Sequence, residues 1–190
     1  MIVFCATSNP GKLREFRLAG AVEPLPNLRD IEPPEESGDT FEANAIEKAL
    51  YYGTHTPEWL FAEDSGLEVE ALGGAPGVYS ARFAGPGADD RSNNSLLLEK
   101  LNGATDRRAQ FVCVIALVRG GELVRTFRGE VKGEIVQEPR GPNGFGYDPL
   151  FYYAPFGCTF GEVAAEAKMK VSHRAVALRR LFEFLRNPAQ

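Results

Sequence analysis

The chain has 190 residues, of which 44% are hydrophobic and 25% charged, the composition of an ordinary folded protein. This length predicts a single domain over residues 1–190. The net charge of −5 argues against binding a nucleic-acid polymer, because that requires a clustered excess of Lys and Arg. Any small anionic ligand would therefore have to be bound by a local basic site.

The three cysteines, Cys5, Cys113 and Cys158, form no C-x-x-C motif, so neither a disulfide framework nor a zinc site is indicated. No apolar run approaches about 18 residues, and the N-terminus has no basic segment typical of a signal peptide. We expect a cytoplasmic protein without a membrane span. Disorder is expected only at residues 187–190.

The first predicted elements are a buried strand over residues 2–6 and a helix over 13–19. The connection between them consists of Thr7, Ser8, Asn9, Pro10, Gly11 and Lys12. N–H groups at a helix N-terminus favour anions, and the side chains of this segment add further donors, which predicts a phosphate site. The alternative is a simple helix entry with Pro10 in the first turn. The segment is not a P-loop, since the first glycine of that motif is missing.

A second helix is predicted over residues 40–52, with Asp39 as N-cap and Glu42 at capping-box spacing. A helical wheel places Glu42 near the middle of the apolar face and Lys48 at its edge. Glu42 is then either a capping residue or part of a site. Lys48 either lines the same site or extends to water.

An apolar strand is predicted at residues 60–63, and it runs directly into Glu63 and Asp64. Neighbouring strand residues point to opposite faces, so one carboxylate would face a cleft and the other would support it. A carboxylate at such a place can hold a divalent cation or accept a proton from water. The alternative is an Asp-Ser-Gly turn that satisfies its own backbone.

Further along the chain, the pattern predicts an irregular loop at 73–77, a helix over 93–101, and strands over 110–118 and 123–136 joined as a hairpin. A last helix begins after Ser172 and runs to about residue 185. Its predicted buried residues are Val176, Leu178, Leu181, Phe182 and Leu185. Interleaved helices and strands with one long hairpin indicate an α/β fold with a mixed sheet.

The segment 140–149 combines three glycines and two prolines with two aromatic residues. Glycines allow the backbone to approach a ligand, and an aromatic ring offers a stacking surface for a base. A cationic cluster follows, and its members are Lys168, Lys170, His173 and Arg174. The alternative for this cluster is a helix start exposed to water. Together with the phosphate segment and the carboxylates, these features are what a nucleoside triphosphate with Mg²⁺ requires.

Six motifs occur in order: T-S-N-P-G-K at 7–12, T-F-E-A-N-A-I-E-K-A at 40–49, A-E-D-S-G-L at 62–67, G-G-A-P-G-V-Y-S-A-R at 73–82, G-F-G-Y-D-P at 144–149 and S-H-R at 172–174. In these motifs the chain resembles the inosine triphosphate pyrophosphatase family, the dITP/XTP diphosphatases. The resemblance covers nearly the whole chain.

The resemblance implies hydrolysis of ITP, dITP and XTP to the monophosphate and pyrophosphate, a Mg²⁺ requirement and a homodimer. It also implies an elongated mixed sheet flanked by helices, with two lobes around a nucleotide cleft. Two alternatives are a pyrophosphatase for other modified nucleotides and a non-catalytic nucleotide sensor.

The resemblance further implies roles for individual residues. Asp64 would accept the proton and hold the metal, with Lys12 and Lys48 assisting. The residues implied in substrate binding are Thr7, Ser8, Asn9, Pro10, Gly11, Lys12, Ser65, Phe145, Gly146, Tyr147, Asp148, Lys168, His173 and Arg174. Donors from His173 or Arg174 would favour a 6-oxo purine over adenine.

One departure from the family pattern concerns the metal. Members often carry an acid directly before the Asn of the second motif, where this chain has Ala43. Glu42 and Glu63 are the candidates for the second metal ligand.

Overall fold

The structure is a computed structural model that describes residues 2–187, so most of the predicted tail, residues 188–190, lies outside it. The strands are β1 (Val3–Cys5), β2 (Val22–Pro24), β3 (Trp59–Val69), β4 (Arg108–Arg119), β5 (Glu122–Ile135), β6 (Phe151–Tyr153) and β7 (Cys158–Thr159). The α-helices are α1 (Pro10–Ala19), α2 (Phe41–Gly53), α3 (Asp90–Lys100), α4 (Ala165–Lys168) and α5 (His173–Arg186).

All seven strands form one sheet in the order β2-β1-β3-β4-β5-β6-β7. β1 pairs in parallel with β2 and β3, whereas β6 is antiparallel to both β5 and β7. The predicted α/β fold with a mixed sheet is therefore confirmed. Within residues 2–187, every helix is too short or too polar to cross a membrane.

The chain divides into two compact units. Unit 1 consists of residues 2–64, Cys113–Gly129 and 173–187, and unit 2 of Ser65–Val112 and Glu130–Ser172. The long strands β3, β4 and β5 each continue along the chain from one unit into the other. The single domain over residues 1–190 stays a prediction.

In unit 1, helices cover both faces of the sheet near its parallel strands. On one face α1 packs against α5, and the ring of Phe16 meets the ring of Phe61 of β3 edge-on at 5.2 Å. Both rings are fully buried. On the other face lies α2, whose Asn44 and Lys48 side chains contact Asp64 of the same strand. Adjacent residues of β3 therefore contact different helices.

In unit 2, an aromatic cluster forms the core. The ring of Phe151 lies 4.5 Å from that of Phe111 and 5.1 Å from that of Phe160, between centroids. Leu67 of β3 and Leu97 of α3 belong to the same cluster. This packing holds the short strands β6 and β7 at the end of the sheet, since strands of two or three residues have few backbone hydrogen bonds of their own.

Two boundaries differ from the sequence prediction. The N-cap of α2 is Thr40, whose hydroxyl accepts from the Ala43 amide, so the prediction of Asp39 was wrong. β3 continues to Val69, so Glu63 and Asp64 lie within a strand rather than at its end. The hairpin is confirmed, with Gly120 and Gly121 at φ 57° and 80° in its two-residue turn.

Candidate functional site

The segment after β1 is a structured helix entry. The Asn9 side chain accepts a hydrogen bond from the Lys12 amide at 3.0 Å, and the Asn9 amide donates to the Thr7 hydroxyl at 3.2 Å. Pro10 occupies the first turn, where its missing N–H costs no hydrogen bond. Ser8 is exposed, so its hydroxyl is accessible beside the start of α1.

Glu63 lies among cations on the α1 and α5 side of β3. Its carboxylate forms an ion pair with Lys12, and the Arg174 guanidinium Nε lies 3.9 Å away. Burial disfavours charge on Glu63, but Lys12 and Arg174 outweigh this effect and lower the pKa of the carboxyl to about 2. The Cys113 thiol donates to the same carboxylate at 3.5 Å. Glu63 is thus a charged, supporting residue.

Arg174 is itself buried and belongs to this network. Its Nη1 donates to the Glu15 carboxylate at 2.7 Å. Burial opposes the charge of the guanidinium, but Glu15 and Glu63 raise its pKa above the ordinary value. The structure therefore places Arg174, predicted to bind substrate, in ion pairs between α5, α1 and β3.

Asp64 lies on the α2 side of β3. The Asn44 amide donates to one carboxylate oxygen at 3.1 Å, and the Lys48 ammonium lies 3.3 Å from the other. Burial raises the pKa of the Asp64 carboxyl above its ordinary value, and the charge of Lys48 opposes the rise. A buried carboxylate whose pKa is raised is a better proton acceptor than an exposed one.

Lys48 connects Asp64 to a residue that the sequence analysis did not select. Its ammonium also contacts the Glu36 carboxylate at 3.0 Å. Burial opposes its charge, yet Asp64, Glu63 and Glu36 raise its pKa above the ordinary value. Since one ammonium contacts both Asp64 and Glu36, these two carboxylates lie close together.

A cavity of about 390 Å³ adjoins this group in unit 1. Its lining residues include polar and charged groups from separate segments: Ser8, Arg29, Glu36 and Lys48. A volume of this size is in the range of small-molecule sites. Hydroxyl, guanidinium and ammonium donors around one space suit an anion with several oxygens.

The carboxylates can be compared as metal ligands. Within the described part of the chain, no group of three or more His, Cys, Asp or Glu side chains is arranged to hold a metal. Mg²⁺ in proteins often uses only one or two carboxylates, with the remaining oxygens supplied by water and substrate phosphates. Asp64 and Glu36, which contact the same ammonium, could supply such a pair of oxygen ligands.

The earlier candidates for a second ligand are placed elsewhere. Glu42 is exposed, contrary to the helical wheel, and its carboxylate accepts from the Thr126 hydroxyl at 2.7 Å. Glu63 is engaged by Lys12 and Arg174. The geometry favours Glu36 over both.

In unit 2, the segment Gly144–Asp148 is built around the Asp148 carboxylate, which is almost fully buried. One of its oxygens accepts from the Phe145 amide at 3.0 Å and contacts the Lys168 ammonium at 2.6 Å. Lys168, only 2% exposed, also lies 4.9 Å from the Phe145 ring centroid. A buried ion pair thus orders the aromatic segment.

The remaining predicted residues fall within these arrangements. Ser65 follows Asp64 in β3 and is half-buried. His173 is buried at the first position of α5. The Tyr147 hydroxyl donates to the Ser80 carbonyl at 2.7 Å. Burial, followed by the negative charge of Asp90, raises the pKa of the Tyr147 phenol.

Sequence reasoning missed several contributors. Asn44 lies one helical turn before Lys48, so their spacing already places both on one face of α2. Glu15 is likewise three residues after Lys12 in α1. Glu36 and Arg29 carry no such signal, because they belong to the connection between β2 and α2, where Arg29 lies in a single 3-10 turn and Glu36 outside any helix or strand.

Comparison with known proteins gives concordant matches. A model of the Ham1 family matches residues 3–184. A dITP/XTP pyrophosphatase of an Exiguobacterium species is 48% identical over 186 residues, covering 95% of each chain. The dITP/XTP pyrophosphatase of Acidobacterium capsulatum is 45% identical over 193 residues, covering 94% of this chain and 95% of that one. The solved Ham1 protein of Staphylococcus aureus has a TM-score of 0.88 at 41% identity, covering 99% of this chain and 100% of that one.

Proposed function

The chain belongs to the Ham1 family, and on that premise we propose that it hydrolyses aberrant purine nucleoside triphosphates, namely dITP, ITP and XTP. The products are the nucleoside monophosphate and pyrophosphate. Such an enzyme removes unwanted purine nucleotides from the pool of precursors for nucleic-acid synthesis.

The observation that carries this proposal is the grouping around Lys48. A carboxylate with a raised pKa, Asp64, and a second carboxylate, Glu36, both contact its ammonium. Lys48 also lines the cavity that Ser8 and Arg29 border. A proton acceptor beside a basic cavity is the combination that hydrolysis of a triphosphate requires.

In the reaction, Asp64 orients a water molecule and accepts its proton. The water oxygen forms a bond to the first phosphorus, and the bond from this phosphorus to the oxygen bridging the first two phosphates breaks. Pyrophosphate leaves with that bridging oxygen. Lys48 and Lys12 provide positive charge near the phosphates, and Asn44 holds the carboxylate of Asp64 in place.

We assign the Mg²⁺ site to Asp64 and Glu36, whose carboxylate oxygens are ligands that this ion prefers. When bound, the ion neutralises negative charge that builds up on the phosphate oxygens. Glu42 and Glu63 are weaker candidates, because Glu63 pairs with Lys12 on the opposite side of β3 from Asp64 and Glu42 accepts from Thr126 at the surface.

For the base, we propose recognition by the segment Phe145–Asp148, where an aromatic ring offers a stacking surface. His173 would donate to the 6-oxo group of hypoxanthine or xanthine, a position at which adenine carries an amino donor. Arg174 contributes less to this contact than the sequence indicated, since Glu15 and Glu63 already pair with its guanidinium.

The test is pyrophosphate release from ITP, XTP, GTP and ATP in the presence of Mg²⁺. We expect ITP and XTP to be cleaved and ATP to be a poor substrate. Asp64→Asn should lower kcat by about 10²-fold or more, because the amide cannot accept the proton of water. Glu36→Gln should raise the Mg²⁺ concentration needed for half-maximal activity, whereas Glu42→Gln should not.

Asp106→Asn is the matched control for the loss of one acid, since Asp106 pairs with Arg108 on the surface. Equal turnover of ATP and ITP would refute the proposed selectivity. Unimpaired activity of Asp64→Asn would refute its role. The homodimer and the cytoplasmic location remain proposals, and light scattering of the purified protein would test the first.

A further inference from the structure

One helix, α3, binds both the N–H and the carbonyl of Gly146. Its N–H donates to the Asp90 carboxylate at 2.7 Å, and its carbonyl accepts from the Asn94 amide at 3.1 Å. Asp90 and Asn94 are four residues apart and therefore lie on the same face of α3. No motif singled out in the sequence includes this helix.

Gly146 needs such support because its backbone is left-handed, with φ 60°. Glycine adopts this region without steric cost, but it also has many alternative conformations. Space is open around its Cα, so no neighbouring side chain confines it. The two hydrogen bonds to α3 therefore contribute directly to fixing this peptide.

Asn94 is held in one orientation at a cost. The Asn94 side chain is 9% exposed, and its Oδ1 is buried without a hydrogen-bond partner among the described residues. Turning the amide round would place this oxygen against the Gly146 carbonyl, where two acceptors would repel each other. A buried acceptor without a donor destabilises a fold, and each such group calls for an explanation.

The residues on either side of Gly146 carry the aromatic rings of the segment. The Phe145 amide donates to Asp148, and the Tyr147 hydroxyl donates to the Ser80 carbonyl. With these anchors in place, rotation of the backbone at Gly146 would change the angle between the two rings. The contacts from α3 restrict that rotation.

We propose that Asp90 and Asn94 are positioning residues for base selection, which hold Gly146 so that the ring of Phe145 stacks on the base in the pose that presents a 6-oxo group to a donor. This rests on the proposed function, in which the segment Phe145–Asp148 contacts the base. Neither residue touches the reacting atoms.

The experiment compares kcat/KM for ITP and ATP in four variants. Asp90→Ala removes the acceptor, and we expect the ITP-to-ATP ratio to fall about tenfold, since small displacements of a binding group cost up to 10²-fold. Asp90→Asn keeps an acceptor oxygen and should retain the ratio. Asn94→Leu should lower the ratio similarly without lowering the urea midpoint, because it also removes the unpartnered oxygen. Glu99→Ala, an exposed acid on the same helix, is the control.

Amide hydrogen exchange at Gly146 provides a readout independent of turnover. Its exchange should accelerate in Asp90→Ala and not in Glu99→Ala. An unchanged ITP-to-ATP ratio in both Asp90→Ala and Asn94→Leu would overturn the proposal. A ratio that falls only in variants with a lowered urea midpoint would overturn it as well.

If the wild-type protein released no pyrophosphate from any triphosphate, the proposed function would fail. Calorimetric binding of ITP and ATP to the same variants would then decide the positioning role. A preference for ITP that is lost in Asp90→Ala supports it, while equal preference, or no nucleotide binding by the wild type, refutes it.

Discussion

Glu63 and Asp64 are adjacent carboxylates with different surroundings. Glu63 lies between Lys12 and Arg174, which keep it charged, while Asp64 contacts one ammonium and one amide and has a raised pKa. The first is therefore committed to ion pairs, and the second is the candidate proton acceptor. This division follows from the alternation of side chains along β3.

This difference predicts that Glu63→Gln mainly lowers stability, whereas Asp64→Asn mainly lowers activity. Glu63→Gln removes the carboxylate that pairs with half-buried Lys12 and lies near buried Arg174, which keeps its pair with Glu15, and should lower the free energy of unfolding by roughly 1.5–3 kcal/mol. Urea denaturation followed by Trp59 fluorescence measures this change. As a control, Glu23→Gln breaks an exposed pair with Arg17, and about 0–1 kcal/mol is expected. A cost of this small size for Glu63→Gln would contradict its structural role.

The buried pair of Lys168 and Asp148 allows a second prediction at this scale. Lys168→Met removes the ammonium that pairs with the buried Asp148 carboxylate, so stability should fall by roughly 3–5 kcal/mol. Adding Asp148→Asn should recover part of the loss, because the buried charge that faced this ammonium disappears. A double-mutant cycle in urea measures the coupling, and additive effects would show that the pair is not coupled.

Individual residues were predictable where chemistry and local spacing coincide. Asp64 and Lys48 were selected from the sequence, and the structure brings them within 3.3 Å. Glu36 was missed because nothing local distinguishes it from its acidic neighbours. Glu42 was misplaced, since the wheel of α2 could not anticipate that Thr126 of β5 would bind it at the surface.

At the scale of elements, the position of α5 depends on a glycine in the neighbouring strand. A Cβ at Gly129 of β5 would lie 2.1 Å from the His173 carbonyl and 2.6 Å from the Ala177 amide nitrogen. The first turns of α5 therefore pack directly on the β5 backbone. This close approach helps to bring Arg174 to Glu15 and Glu63.

We expect Gly129→Ala to displace α5 and to lower the free energy of unfolding by about 2 kcal/mol or more, as overpacking of a core does. Gly73→Ala is the control, because Gly73 has φ 62° but open space, so only backbone strain of about 1 kcal/mol is expected. Urea denaturation distinguishes the two. Equal losses would mean that the contact with α5 adjusts freely.

Elements with strong local signals were predicted, and the short ones, apart from β1, were not. The helices α1, α2, α3 and α5 and the β4–β5 hairpin have clear periodicity or a Gly-Gly turn. β2, β6 and β7 have two or three residues each, too few for any period to show. These strands form because neighbouring strands of the sheet pair with them. A short stretch of sequence contains no information on such long-range pairing.

For the whole molecule, the shared strands bear on how the chain unfolds. β3, β4 and β5 each contribute residues to both units, so loss of one unit would break the hydrogen bonding of strands that continue into the other. We therefore predict a single cooperative transition, consistent with one domain over residues 1–190.

Two probes can test this. Trp59, the only tryptophan in the chain, lies in unit 1, and Cys158 lies in unit 2. The other two cysteines, Cys5 and Cys113, are fully buried in unit 1, so labelling has to be assigned to each thiol separately. The midpoint of Trp59 fluorescence in urea should coincide with that of Cys158 labelling. Separate midpoints would show two domains.

The alternation of partners along β3 also limits how the strand can be aligned. A slip of one residue that placed Asp64 beside Lys12 and Arg174 would move Glu63 to the place of Ala62 and bring Ser65 to Lys48. Lys48 would then lose its contact with Asp64. Leu60 and Phe61, fully buried next to β1, would exchange faces as well, which adds a larger apolar penalty. The apolar half of the strand therefore helps to fix which of the two acids lies beside Lys48.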